Sequence, residues 1–135
     1  MQLFSIPTTE NNEIVNKDYT NRITVPSYRV NEFDETLDWK DGNLRQHQHI
    51  VRTRIKGNFT LKFLTIEEFN DFFETLAANK IGSGVYSGAV LCTVYLVKKN
   101  ITKSAYLRID ADPSDTLPYF GTKNYDGFEV KVEEV

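Results

Sequence analysis

Cysteine is almost missing from this chain. Cys92 is alone among 135 residues, which excludes an intramolecular disulfide framework. It lies inside an apolar run and reads as a buried, inert thiol. Histidine is nearly as scarce, with only His47 and His49. No apolar run approaches the ~18 residues of a membrane-spanning helix. The opening MQLFSIPTTE has neither the basic start nor the apolar segment of a signal peptide. Positive charge is not in excess either: a formal net charge of −3 supplies no global field for nucleic acid. Gly82, Gly84 and Gly88 miss the dinucleotide fingerprint by one residue. They also follow a predicted helix and precede a strand, the reverse of a phosphate cradle. The expectation is a protein made in a reducing cytosol, with no membrane association and no cofactor.

What the chain does have is aromatic residues, with nine Phe and seven Tyr, a bias toward β-structure and contact surfaces. Residues 8–22, TTENNEIVNKDYTNR, are polar and carry three apolar positions. The expectation is therefore an extended arm or loop over 1–22 that can be removed without loss of the fold. A single β-rich domain is expected over 23–135. ITVPSYRV (23–30) is β-prone, but Pro26 suits an edge or bent strand. Asp41-Gly42 marks a turn after DETLDWK, with Trp39 as an anchor.

The stretch RQHQHIVRTRIKGNFTLKF (45–63) alternates with period two. Val51, Ile55, Phe59, Leu61 and Phe63 fall on one face together with both histidines, and Arg52, Arg54, Lys56 and Lys62 on the other. Unbroken, it would span roughly 60 Å, so Gly57-Asn58 is the expected place for a hairpin turn or bulge. Next, LTIEEFNDFFETLAANK (64–80) carries a capping box, Thr65 with Glu68. Its stripe of Phe69, Phe72, Phe73 and Leu76, extended by Ile66, predicts one amphipathic helix over about 65–79. AVLCTVYLVKK (89–99) is apolar on both faces and reads as a central strand or as one covered by a neighbouring subunit. A hairpin tip at Lys99-Asn100 returns through SAYLRID. ADPSDTLPYFGTKNYDG (111–127) reads as a long loop, and FEVKVEEV (128–135) as a closing strand. Without a βαβ alternation, the fold class is α+β, mainly β: an antiparallel sandwich or partly open barrel with one helix packed against it.

Candidate chemistry is sparse. His47 and His49 could sit on one side of a strand as metal ligands, but no third histidine exists to complete a site. Asp110, Asp112 and Asp115 are spaced like part of a calcium loop that lacks its glycine and terminal glutamate. No serine or cysteine is placed beside a histidine, so no enzyme is expected. The cation row has two uses, tracking phosphates or meeting acidic residues of a neighbour.

The succession PSYRV, a Trp-containing acidic linker to KDGN, HIVRTRIKGNFTLKF, LTIEEFNDFFETL and an apolar hairpin strand resembles small tail proteins of long-tailed bacteriophages. The likeness covers about residues 26–110. It implies a tail-tube-like fold whose subunits form rings, six-fold in expectation, around a DNA channel. It implies partners among other tail proteins, non-specific proximity to DNA, and a place in the virion tail after assembly in the host bacterial cytoplasm. Tube lumens of such proteins tend to be acidic, whereas this strand carries Arg and Lys, so the likeness does not assign a channel face. The expected interface residues are Arg52, Arg54, Lys56, Lys62, Tyr119, Phe120 and Tyr125. The alternatives are a β-barrel binding module for nucleic acid or carbohydrate, and a metalloenzyme using His47 and His49.

Overall fold

Among the described residues, seven strands and one helix account for nearly all of the regular structure. The computed structural model describes residues 2–40, 42, 46–113 and 127–135, with the backbone alone over 37–40 and 46–51. The strands are β1 Phe4–Glu10, β2 Glu13–Asp18, β3 Arg29–Lys40, β4 Gln46–Leu61, β5 Val90–Leu96, β6 Ile101–Asp112 and β7 Phe128–Glu134. The helix, α1, spans Ile66–Asn79. The sheet order is β2-β1-β5-β6-β7-β4-β3, and every neighbouring pair is antiparallel. The mainly β, α+β class with one helix is thus the architecture found.

The sheet bends back over its own core. β5 and β3 lie four places apart in the order, yet the Val97 N–H donates to the Val30 carbonyl at 3.1 Å. Nearby, the Lys98 N–H donates to Asn31 Oδ1 at 2.8 Å. The buried Tyr28 hydroxyl lies 2.7 Å from the Tyr95 carbonyl and 2.8 Å from that of Leu3. It ties the entry to β3, the end of β5 and the start of β1 at one point.

Aromatic rings fill the space so enclosed. Tyr28 stacks on Phe59 at 5.6 Å, and Phe59 meets Phe4 at 5.1 Å. Tyr19 then meets Phe72 edge-on at 5.1 Å, and Phe72 meets Phe63 at 5.6 Å. Each such contact adds about 0.5–1.5 kcal/mol beyond its area, which gives the Phe and Tyr of the sequence a structural use. The capping box forms: Thr65 Oγ1 accepts from the Glu68 N–H at 3.2 Å, and Glu68 Oε2 accepts from the Leu64 N–H at 3.1 Å. Phe72 and Leu76 are buried and Phe69 and Phe73 pack against the core, but Ile66 stays 43% exposed and does not extend the stripe.

Residues 2–22, expected as part of an arm over 1–22, are not one. β1 pairs with β5 on one side and β2 on the other, and Leu3, Phe4, Ile6 and Tyr19 are buried in the core. β2 reads as polar because it is an edge strand, exposed over most of its length. Asn11 and Asn12, both at positive φ, make the tight hairpin turn that an Asn pair favours. This hairpin also holds the helix. Lys17 Nζ reaches Asp71 at 3.3 Å, Thr8 Oγ1 accepts from Asn79 Nδ2 at 3.1 Å, and Arg22 makes two bonds to Glu68 at 3.1 and 2.9 Å.

Two other expectations change. β4 runs straight through Gly57-Asn58, with no turn there. Pro26 lies in a short 3₁₀ turn, Val25–Ser27, ahead of β3, and of this segment Ile23 bridges to Leu61. β7 matches its reading, with Phe128, Val130 and Val132 buried and the residues between them exposed.

Candidate functional site

β4 is longer than its neighbours on one side. It pairs with β7 only from Lys56 to Leu61, but with β3 from Gln46 to Asn58. Among the described residues β3 has no partner strand other than β4. Residues 34–40 and 46–53 therefore form a two-stranded ribbon about 20 Å long beyond the rest of the sheet. The ribbon holds the bulge that the sequence suggested further along. Arg52 faces Glu35 and Ile50 faces Thr36, which leaves Val51 as the extra residue. Past it the alternation slips by one position. His47 and His49, opposite Trp39 and Leu37, fall in the register set of Arg52 and Arg54, not that of Ile55 and Phe59.

The cation row is partly neutralised within the chain. Arg54 is the centre of it: Nη1 bonds Glu35, Nη2 lies 2.9 Å from Glu133, and Nε and Nη2 donate to the Glu134 carbonyl at 3.1 and 2.7 Å. The Glu134 carboxylate in turn accepts from the Ile55 N–H at 3.0 Å. Arg54 thus clamps the end of β7 to β4 and β3. Arg52 lies 3.7 Å from Glu35. Lys56 is exposed and lines a groove, whereas Lys62 lies past the end of β4, where its N–H donates to the Arg22 carbonyl at 2.8 Å. The four expected cations are therefore not one free row. Tyr119, Phe120, Tyr125 and Asp115 lie outside the described residues.

The groove, about 500 Å³, opens on the outer face of β3, β4, β7 and β6. Its cations are Arg29, Lys56, Arg108 and Lys131, its carboxylates Asp110 and Glu133, and its largest apolar side chain is Phe33. Sequence reading missed Arg29, Arg108 and Lys131. The signal was there, since Arg108 and Lys131 occupy outward positions of alternating strands. Asp110 and Asp112 lie in β6, facing Lys131 and Glu129, so they are strand residues and not a calcium loop. Among the described residues no three His, Cys, Asp or Glu side chains converge, and no helix is long and apolar enough to cross a membrane. Burial pushes the Cys92 thiol up to about 12.

Where β3 meets the β5–β6 turn, Glu32 bonds both Lys103, at 2.7 Å, and Lys99. Its side chain is only 6% exposed. Hydrogen bonds from Lys103 and Lys99 hold this carboxyl below its ordinary range. Arg22 and the Leu64 N–H do the same for Glu68. A depressed carboxyl contributes stability that is present above its unfolded pKa and lost as pH falls through the folded one. Thermal unfolding should therefore show the melting temperature of the wild type falling as pH drops below about 4.5. Glu32→Gln should start lower at neutral pH and lose less on acidification. Parallel curves would remove Glu32 from the account.

Comparison with protein-family models, with curated proteins and with solved structures found no match to this chain.

Proposed function

We propose that this chain is a non-enzymatic structural protein of a tailed-bacteriophage virion. In this reading it forms ring-shaped, six-fold homo-oligomers around the DNA channel in the tube, distal-tail or connector region. It contacts other tail proteins and is assembled in the host cytoplasm. The observation that carries the reading is the ribbon. A two-stranded hairpin is marginal on its own in water, and among the described residues its edges have no further partner strand, so their N–H and C=O groups can pair with another chain. Such an element is best accounted for if it is completed by a neighbour in an assembly. The likeness to small tail proteins, carried by residues 26–110, names the kind of assembly.

Replacing residues 36–51 by Asn-Gly tests this, because Glu35 and Arg52 are register partners and a two-residue turn can join them. Light scattering coupled to size exclusion should show the shortened chain folded and monomeric while the wild type is oligomeric. Equal oligomerisation by both would contradict the role of the ribbon. The second reading, a module binding nucleic acid or carbohydrate, draws on the groove cations. Its nucleic-acid form requires affinity that falls steeply with salt.

A further inference from the structure

The groove in the outer face of the sheet holds four cations against two carboxylates, and the outer face of α1 carries carboxylates at a matching spacing. Arg108 on β6 and Lys56 on β4 are both register partners of Glu133 on β7. Their backbones are thus two strand spacings apart, about 10 Å. Glu133 is already engaged by Arg54 at 2.9 Å. Among the described residues no carboxylate lies within ion-pair distance of Arg108, Lys56 or the neighbouring Lys131. Phe33, 48% exposed, gives the groove an apolar wall.

On α1, Glu67 and Glu74 are exposed and stand seven residues apart. That is about 10.5 Å along the axis and about 20° around it. Neither has an ion-pair partner among the described residues; Asp71, between them on the same face, is paired with Lys17, and exposed Ile66 lies about 100° around the helix from Glu67. The opposite side of α1 is fastened to the core and the N-terminal hairpin holds the helix at Asp71 and Asn79, so the helix has no path to the groove of its own chain.

We propose that the groove receives the Glu67–Glu74 face of α1 from a second copy, with the carboxylates between the groove cations and Ile66 toward Phe33. Groove and helix face are different surfaces, so the contact is heterologous and repeats head to tail, the type that closes rings or builds filaments. This rests on the ring reading and adds which two surfaces meet.

Charge reversal tests it. Lys56→Glu with Lys131→Glu makes the groove acidic, and Glu67→Lys with Glu74→Lys makes the helix face basic. Sedimentation velocity should show each double variant associating about tenfold or more weakly than the wild type. Wild-type association should also weaken between about 50 and 500 mM NaCl. The two variants mixed one to one should assemble again, because each groove then meets a helix of opposite charge. Restoration on mixing separates a broken contact from a broken fold. If the wild type assembles and both variants assemble as well as it does, the groove–helix contact is wrong and the ring reading stands. A wild type that stays monomeric overturns both. If the groove variant loses binding to labelled duplex DNA while assembly is unchanged, the occupant is nucleic acid and the contact between copies is overturned.

Discussion

Gly57→Ala is expected to destabilise the protein by roughly 3 kcal/mol, and on a marginal fold to prevent it from forming. A methyl group at this position would lie 2.1 Å from the Arg29 carbonyl oxygen and 2.6 Å from the Val30 Cα. Both are backbone atoms of β3, so relief requires the strands to part. Gly57 faces Val30 on one side and Val132 on the other, so parting them loosens β4 from both neighbours where it leaves the body of the sheet for the ribbon. Gly82→Ala is the control, since nothing lies within 4 Å of its would-be methyl; it should change stability by about 0.5 kcal/mol or less. Urea unfolding followed by circular dichroism gives both values. Equal midpoints would mean that β3 and β4 do not approach as closely as described.

Deleting residues 1–20 is expected to abolish folding rather than trim an arm. The cut removes Leu3, Phe4, Ile6 and Tyr19, which are 5%, 0%, 0% and 6% exposed. At about 1.5–3 kcal/mol for each buried side chain, the loss is comparable to the whole stability of a small domain, about 5–15 kcal/mol. It also exposes Phe59 and Phe72, which Phe4 and Tyr19 cover, and cuts the Lys17–Asp71 tie to α1. Phe4→Ala isolates the largest part and should cost about 3–5 kcal/mol. Amide chemical-shift dispersion reports the outcome. A truncated chain with a native-like spectrum would restore the reading of a detachable arm.

The parts of the fold legible in the sequence were those whose local signals agree with their tertiary setting. Thr65 and Glu68 announce the start of α1, and Phe128, Val130 and Val132 alternate because β7 has one wet face and one buried face. β2 was illegible for the opposite reason. As an edge strand with little buried surface it carries an arm-like composition, and the buried Leu3, Phe4 and Ile6 lie just ahead of the polar run. The Asn11-Asn12 turn was the available clue. In β4, alternation gave the right faces from Ile55 to Phe63, but no sequence rule places the extra residue at Val51. The histidines were therefore assigned to the wrong register set.

The candidate site was legible in part. Arg52 and Arg54 were found as outward cations, while their neutralisation by Glu35 and Glu133 depends on strand order and cannot be counted along the chain. Arg29, Arg108 and Lys131 join Lys56 only because β3, β4, β7 and β6 are neighbours in the sheet, a long-range fact. The result is a surface in which Arg54 serves to hold the end of β7 in place, and Lys56 with its new neighbours is left to meet something else.

We propose that the chain works as a ring. Negative-stain imaging of the purified full-length protein at high concentration, with mass measured on the same sample, tests it most directly. Annular particles about six times the 15.6 kDa of the chain are expected. A single 15.6 kDa species at every concentration, with no annular particles in the images, would contradict it.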